Sequence, residues 1–89
     1  MIIRLDAARL NEKAPAHAYL KEKLGFPEYY GGNLDALHDC LTELGETVIH
    51  FEHMEKAGLY FWKIYRVFKD SAGQNPQLQL VKNLKDVEQ

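Results

Sequence analysis

The stretch Phe26-Pro27-Glu28-Tyr29-Tyr30-Gly31-Gly32-Asn33-Leu34-Asp35-Ala36-Leu37-His38-Asp39-Cys40-Leu41-Thr42-Glu43-Leu44-Gly45 reads as a turn that launches an amphipathic helix. At about 100° per residue from Leu34, its positions divide into two arcs. Leu34, Ala36, Leu37, Cys40, Leu41 and Leu44 fill one arc. Asp35, His38, Asp39, Thr42 and Glu43 fill the other, with no apolar residue among them. One face is therefore expected to be buried and the other exposed. Asn33 is a good N-cap after the Gly31-Gly32 pair, and Gly45 suits the left-handed residue that closes a helix. The helix is expected from Asn33 to about Leu44.

Helix formation alone does not account for the sign of the exposed arc. Asp35, Asp39 and Glu43 repeat at i, i+4 and i+8, where each like-charged pair costs a helix about 0.2–0.5 kcal/mol. Asp35, in the first turn, recovers part of this from the helix dipole. Asp39 in the middle and Glu43 near the negative end do not. A face arranged against its own helix fits an external cation.

Eighty-nine residues make one domain, 1–89, with a single modest core that buries about 60–65% of the unfolded chain's surface. A hydrophobic content of 46% excludes a disordered chain. The net charge of −2 is unevenly distributed. Between Lys23 and Lys56 there is no Lys or Arg, but there are Glu28, Asp35, Asp39, Glu43, Glu46, Glu52 and Glu55; all 11 basic residues lie in the remainder. Those basic residues are scattered rather than gathered among exposed aromatics, so direct nucleic-acid binding is not expected. Cys40 is the sole cysteine, which rules out an intrachain disulfide and a multi-cysteine zinc site. The start, Met1-Ile2-Ile3-Arg4-Leu5-Asp6, lacks the long apolar core of a signal peptide, and no run approaches a membrane span. A reduced, cytoplasmic location without membrane association is the expectation.

Taken in order, Ile2-Ile3-Arg4-Leu5 reads as a first strand with Ile3 and Leu5 on one side. Pro15 to Leu24 reads as a first helix, begun by proline and ended at Gly25. After the acidic helix, Thr47-Val48-Ile49-His50-Phe51 is a second strand. Glu52 to Gly58 is a polar connection with room for a helical turn. Leu59 to Ala72 carries Phe61, Ile64, Tyr65, Phe68 and Ala72 on one stripe and reads as a third helix, with Tyr60 and Trp62 packing beside the stripe. Gly73-Gln74-Asn75-Pro76 breaks it, and Gln77 to Val81 alternates as a last strand. Strands separated by helices imply an α/β fold with right-handed crossovers and a parallel sheet covered by helices.

Other chemistry is weakly supported. Asp35 and Asp39 as an acid–base pair would sit on adjacent turns of an exposed helix, with no cleft to separate their pKa values. A metal site from His50, Glu52 and His53 is opposed by strand alternation, which puts the two histidines on opposite sides. Cys40, on the apolar arc, reads as a small core residue rather than a nucleophile. Gly31-Gly32 lacks the strand and lysine of a phosphate loop. No cofactor or metal is expected.

The motif Pro27-Glu28-Tyr29-Tyr30-Gly31-x-Asn33-Leu34-Asp35-Ala36-Leu37-x-Asp39-Cys40-Leu41-Thr42 resembles the barstar family, intracellular inhibitors of barnase-type bacterial ribonucleases. The resemblance implies three parallel strands packed with about three helices in the order strand-helix-helix-strand-helix-strand. It also implies a non-enzymatic inhibitor that blocks the ribonuclease active site with the acidic helix and the preceding turn, in a 1:1 complex with a basic, extracellular-type enzyme. Tyr29, Asp35, Asp39 and Thr42 match family contact positions, Asp39 matches the carboxylate that enters the phosphate-binding site, and Asp70 falls near a family acidic contact. The family has tryptophan where this chain has His38 and Leu44, a second cysteine that this chain lacks, and about six more residues between the second strand and the last helix. These departures touch the contact face and allow a different cognate nuclease. The alternative is a non-inhibitory module for another basic protein.

Overall fold

Alternating apolar residues build the sheet. The computed structural model describes residues 1–81, with strands β1 (Ile2–Asp6), β2 (Thr47–Glu52) and β3 (Leu78–Val81) and helices α1 (Lys13–Leu24), α2 (Leu34–Thr42) and α3 (Leu59–Gln74) in the order β1-α1-α2-β2-α3-β3. The sheet order is β1-β2-β3 and both pairings are parallel, with Ile3 opposite Ile49 and Ile49 opposite Leu80. Ile3, Leu5, Ile49, Phe51 and Leu78 enter the core, whereas Ile2, Arg4 and Gln79 are exposed. A strand buried on one side reads as such an alternation.

The central strand is pinned to α3 by aromatic contacts. Phe51 meets Phe61 and Phe68 edge-on, with ring centroids 5.4 and 5.2 Å apart. Such pairs contribute about 0.5–1.5 kcal/mol each beyond the area they bury. The buried stripe of α3 is Phe61, Ile64, Phe68 and Ser71, with Tyr65 and Ala72 half-buried beside it. Trp62, expected to pack, remains 48% exposed but lies edge-on to Phe61 and Tyr65.

Several boundaries differ from expectation for local reasons. Helix α1 begins at Lys13, so Pro15 is its third residue; the first-turn N–H groups have no partner within the helix, and proline loses nothing there. Gly25 ends α1 in the left-handed conformation, with φ 67°, as expected. Helix α3 passes through Gly73 and stops at Gln74. Strand β2 runs one residue further, to Glu52, and His53 follows in the left-handed region with φ 58°. A single 3-10 turn, Met54–Lys56, then completes the short connection. Asn11 closes it from across the molecule: its Oδ1 accepts the Gly58 N–H at 2.6 Å and its Nδ2 donates to the Lys56 carbonyl at 2.8 Å.

Candidate functional site

The turn before α2 separates two tyrosines. The Tyr30 N–H donates to the Pro27 carbonyl at 3.0 Å, which leaves Glu28 and Tyr29 at the tip, and Tyr29 is 87% exposed. Tyr30 turns inward against Phe26, with ring centroids 4.9 Å apart. Gly32 then takes φ 66°, a conformation that strains L side chains, and brings the chain to Asn33. The Asn33 side chain caps α2 by accepting the Ala36 N–H at 2.8 Å.

The inward side of this turn is held by a residue that sequence reasoning passed over. His17, 2% exposed, places Nδ1 2.6 Å from the Tyr30 hydroxyl and Nε2 2.6 Å from the Tyr60 hydroxyl. In the neutral ring one nitrogen donates and the other accepts, so one hydroxyl gives a proton to the bond and the other receives one. Burial, and secondly the Lys13 ammonium, holds His17 below the ordinary histidine value. Burial pushes the Tyr30 and Tyr60 hydroxyls up. Three elements, α1, the turn and α3, are thereby joined under the site. The available signal was spacing: His17 lies three and seven residues before Leu20 and Leu24, on the buried face of α1.

Exposure on α2 is graded rather than divided in two. Leu37 and Leu41 are buried; Leu34, Ala36, His38, Cys40, Thr42 and Leu44 are half-buried; Asp35, Asp39 and Glu43 are exposed. The helical projection of the sequence puts His38 and Thr42 on the exposed arc. At about 40° and 80° from Leu34 they fall on its border, which explains their partial cover. The exposed residues along α2 and its C-cap are therefore all acidic. The expected closing role of Gly45 is not observed: Glu43 caps α2 with φ −99°, and positive φ among the described glycines occurs at Gly25 and Gly32. Buried Asn75 takes that role, donating from Nδ2 to the Leu41 and Leu44 carbonyls at 3.0 and 2.9 Å. The Thr42 hydroxyl donates to the Asp39 carbonyl at 3.0 Å.

A cavity of about 340 Å³ opens between the turn and α2, lined by residues that include Phe26, Pro27, Tyr29, Asp39, Cys40, Glu43 and Leu44. The structure thus brings Tyr29, Asp39 and Leu44 together. Asp35 lines a separate cleft with Lys13 and Lys63, and Asp70, exposed on α3, lines neither. Burial pushes the Cys40 thiol up, with the carboxylates of Glu43 and Asp39 adding to the effect, which makes it a poor nucleophile. Of the other acids, Glu28 pairs with Lys21 at 3.2 Å.

His53 lies beyond the end of β2, so the strand alternation expected to set it opposite His50 does not govern it. Its Nδ1 is 3.0 Å from Asp6 Oδ1. Burial works to raise the Asp6 carboxyl, but the Ala8 N–H and His53 outweigh it and hold the group below its usual value. Among the described residues no cluster of three or more His, Cys, Asp or Glu side chains is placed to hold a metal. No described helix is long and apolar enough to cross a membrane.

A protein of Bacillus subtilis (strain 168) named "Putative ribonuclease inhibitor YrdF" is 73% identical over 26 residues, a segment that makes up 29% of this chain and 29% of that protein. The match therefore spans under a third of that relative's length. The family described as "Barstar (barnase inhibitor)" matches residues 1–82, and with the parallel β-α-α-β-α-β fold this establishes that the chain belongs to the barstar family of non-enzymatic ribonuclease inhibitors.

Proposed function

We propose that this chain inhibits a basic, barnase-type ribonuclease by laying α2 and the turn before it over the enzyme's active site, with Asp39 standing where a substrate phosphate stands. The supporting observation is the exposed stripe of α2 and its C-cap, where Asp35, Asp39 and Glu43 are the exposed residues. A ribonuclease must hold a phosphate, so its site collects Arg, Lys and His. The same donors bind a carboxylate through charge-assisted hydrogen bonds. Tyr29, projecting beside Asp39 and Glu43 across the cavity, supplies apolar area and a hydroxyl at the rim.

His38, Thr42 and Leu44 flank this anchor at half-buried positions, and Asp70 extends the acidic contact onto α3. One helix face covering one active site gives a 1:1 complex. The inhibitor acts in the cytoplasm, as an antitoxin for a nuclease made in the same cell.

The test is RNA cleavage by a panel of barnase-type ribonucleases, barnase included, with and without the protein. Turnover of at least one should stop at equimolar inhibitor. Asp39→Ala should weaken that complex by about 2 kcal/mol or more, because it strands a cation that has lost its counter-charge. The free fold should be unchanged or slightly more stable, since i,i+4 repulsion is relieved. Equal inhibition by mutant and parent would remove Asp39 as the anchor.

A further inference from the structure

A second cleft, of about 480 Å³ and sharing no lining residue with the acidic cavity, is lined by Lys13, Asn33, Leu34, Asp35, Tyr60 and Lys63. It forms where the first residue of α1, the N-terminus of α2 and the beginning of α3 meet. Along the chain Lys13 and Lys63 belong to the two basic flanks that enclose the acidic stretch. Folding carries one lysine from each flank to the end of the acidic helix.

Both lysines are exposed, and neither takes part in the ion pairs of the described residues, although the Asp35 carboxylate lines the same cleft. The wall between them is fixed, because the Tyr60 hydroxyl is held 2.6 Å from His17 Nε2. Two positive charges against one negative give this end of the contact face the opposite sign to the cavity at Asp39 and Glu43. A lone cation docking on Asp35 would share the cleft with two like-charged ammonium groups. Covering those groups without an anion would cost their hydration with nothing returned.

We infer that the Lys13–Lys63 cleft receives a carboxylate of the nuclease, set beside the cation that meets Asp35, an inference that rests on the inhibitor function proposed above. The contact face is then bipolar, and the acidic group discriminates among nucleases that share the same phosphate-binding cations. Inhibitor and enzyme must match in two signs at a fixed separation.

The experiment uses the full chain with barnase, or with the barnase-type ribonuclease that it inhibits most tightly. The variants are Lys13→Glu/Lys63→Glu, Lys63→Met and Asp39→Ala, with each exposed acid of the nuclease replaced singly by lysine. Both lysines are exposed, and a glutamate at the first residue of α1 favours the helix dipole, so folding is retained and circular dichroism verifies it. The double reversal should bind about tenfold more weakly, equivalent to about 1.4 kcal/mol. One nuclease acid-to-lysine variant should lose affinity for the parent and regain it with the double reversal. Lys63→Met should fall between.

Parent-like binding by the double reversal, with Asp39→Ala still defective, overturns this inference and leaves the inhibitor function standing. A uniform response across all nuclease acids overturns it too, since that signals only a long-range field. A short RNA oligonucleotide that binds the free parent but not the double reversal would make the cleft a phosphate site, and also overturns it. Absence of inhibition by the parent across the panel removes both.

Discussion

His17 is a buried titratable group whose ionisation bears on folding. It is held below 6.5 by burial and by Lys13, with Tyr30 and Tyr60 as its other facing groups. As pH falls the unfolded chain therefore takes up this proton before the folded one does. The stability it contributes is complete above about pH 6.5 and is lost as pH falls from there through the lower folded value. The urea midpoint of the parent should drop between about pH 7.5 and 5.5, and His17→Gln, less stable at the upper end, should show a flatter dependence. An unchanged slope in the variant would remove His17 as the source of the effect. On the proposed contact face, His38 stands at a position where the resemblance to the barstar family implies tryptophan. His38→Trp should raise affinity for barnase by enlarging the covered apolar area, measured by titration calorimetry. Unchanged affinity would direct attention to Leu44.

The acidic helix depends for its closure on a residue 31 positions beyond Leu44. Asn75 donates to the Leu41 and Leu44 carbonyls and accepts the Gln77 N–H at 3.0 Å, so one side chain ends α2 and starts the approach to β3. Asn75→Ala should cost about 2 kcal/mol or more, because buried carbonyls lose their donor. Asn75→Asp should not rescue it, since a carboxylate would face two carbonyl oxygens. Denaturant unfolding of the three proteins measures this, and an Asp variant as stable as the parent would place the cap elsewhere. The N-terminal end of α2 is closed locally instead, by Asn33 and the left-handed Gly32.

Across the whole molecule, charge is sorted onto different regions. Asp35, Asp39, Glu43 and Glu46 are exposed, whereas Glu28 is offset by Lys21. Screening shortens the reach of this field to about 10 Å at 0.1 M salt. Association with a basic nuclease should slow about tenfold or more between about 0.05 and 0.5 M salt, while dissociation changes less. Stopped-flow fluorescence gives both rates, and a salt-independent association rate would argue for a mainly apolar interface.

Periodicity alone determined the order of strands and helices, the inward stripe of α3 and the acidic outer face of α2, because each depends on residues within a few positions of one another. The motif around Tyr29 and Asp39 likewise lay within one turn and one helix. What folding decided involves partners far apart in the chain. Asn75 replaces Gly45 as the cap of α2, His17 links Tyr30 to Tyr60, and Asn11 closes the loop at Gly58. Each buried polar group had to find a partner once water was excluded, and no local pattern records which distant side chain supplies it. The same reason applies to Lys13 and Lys63, whose shared cleft exists only because the sheet brings the starts of α1 and α3 to the head of α2.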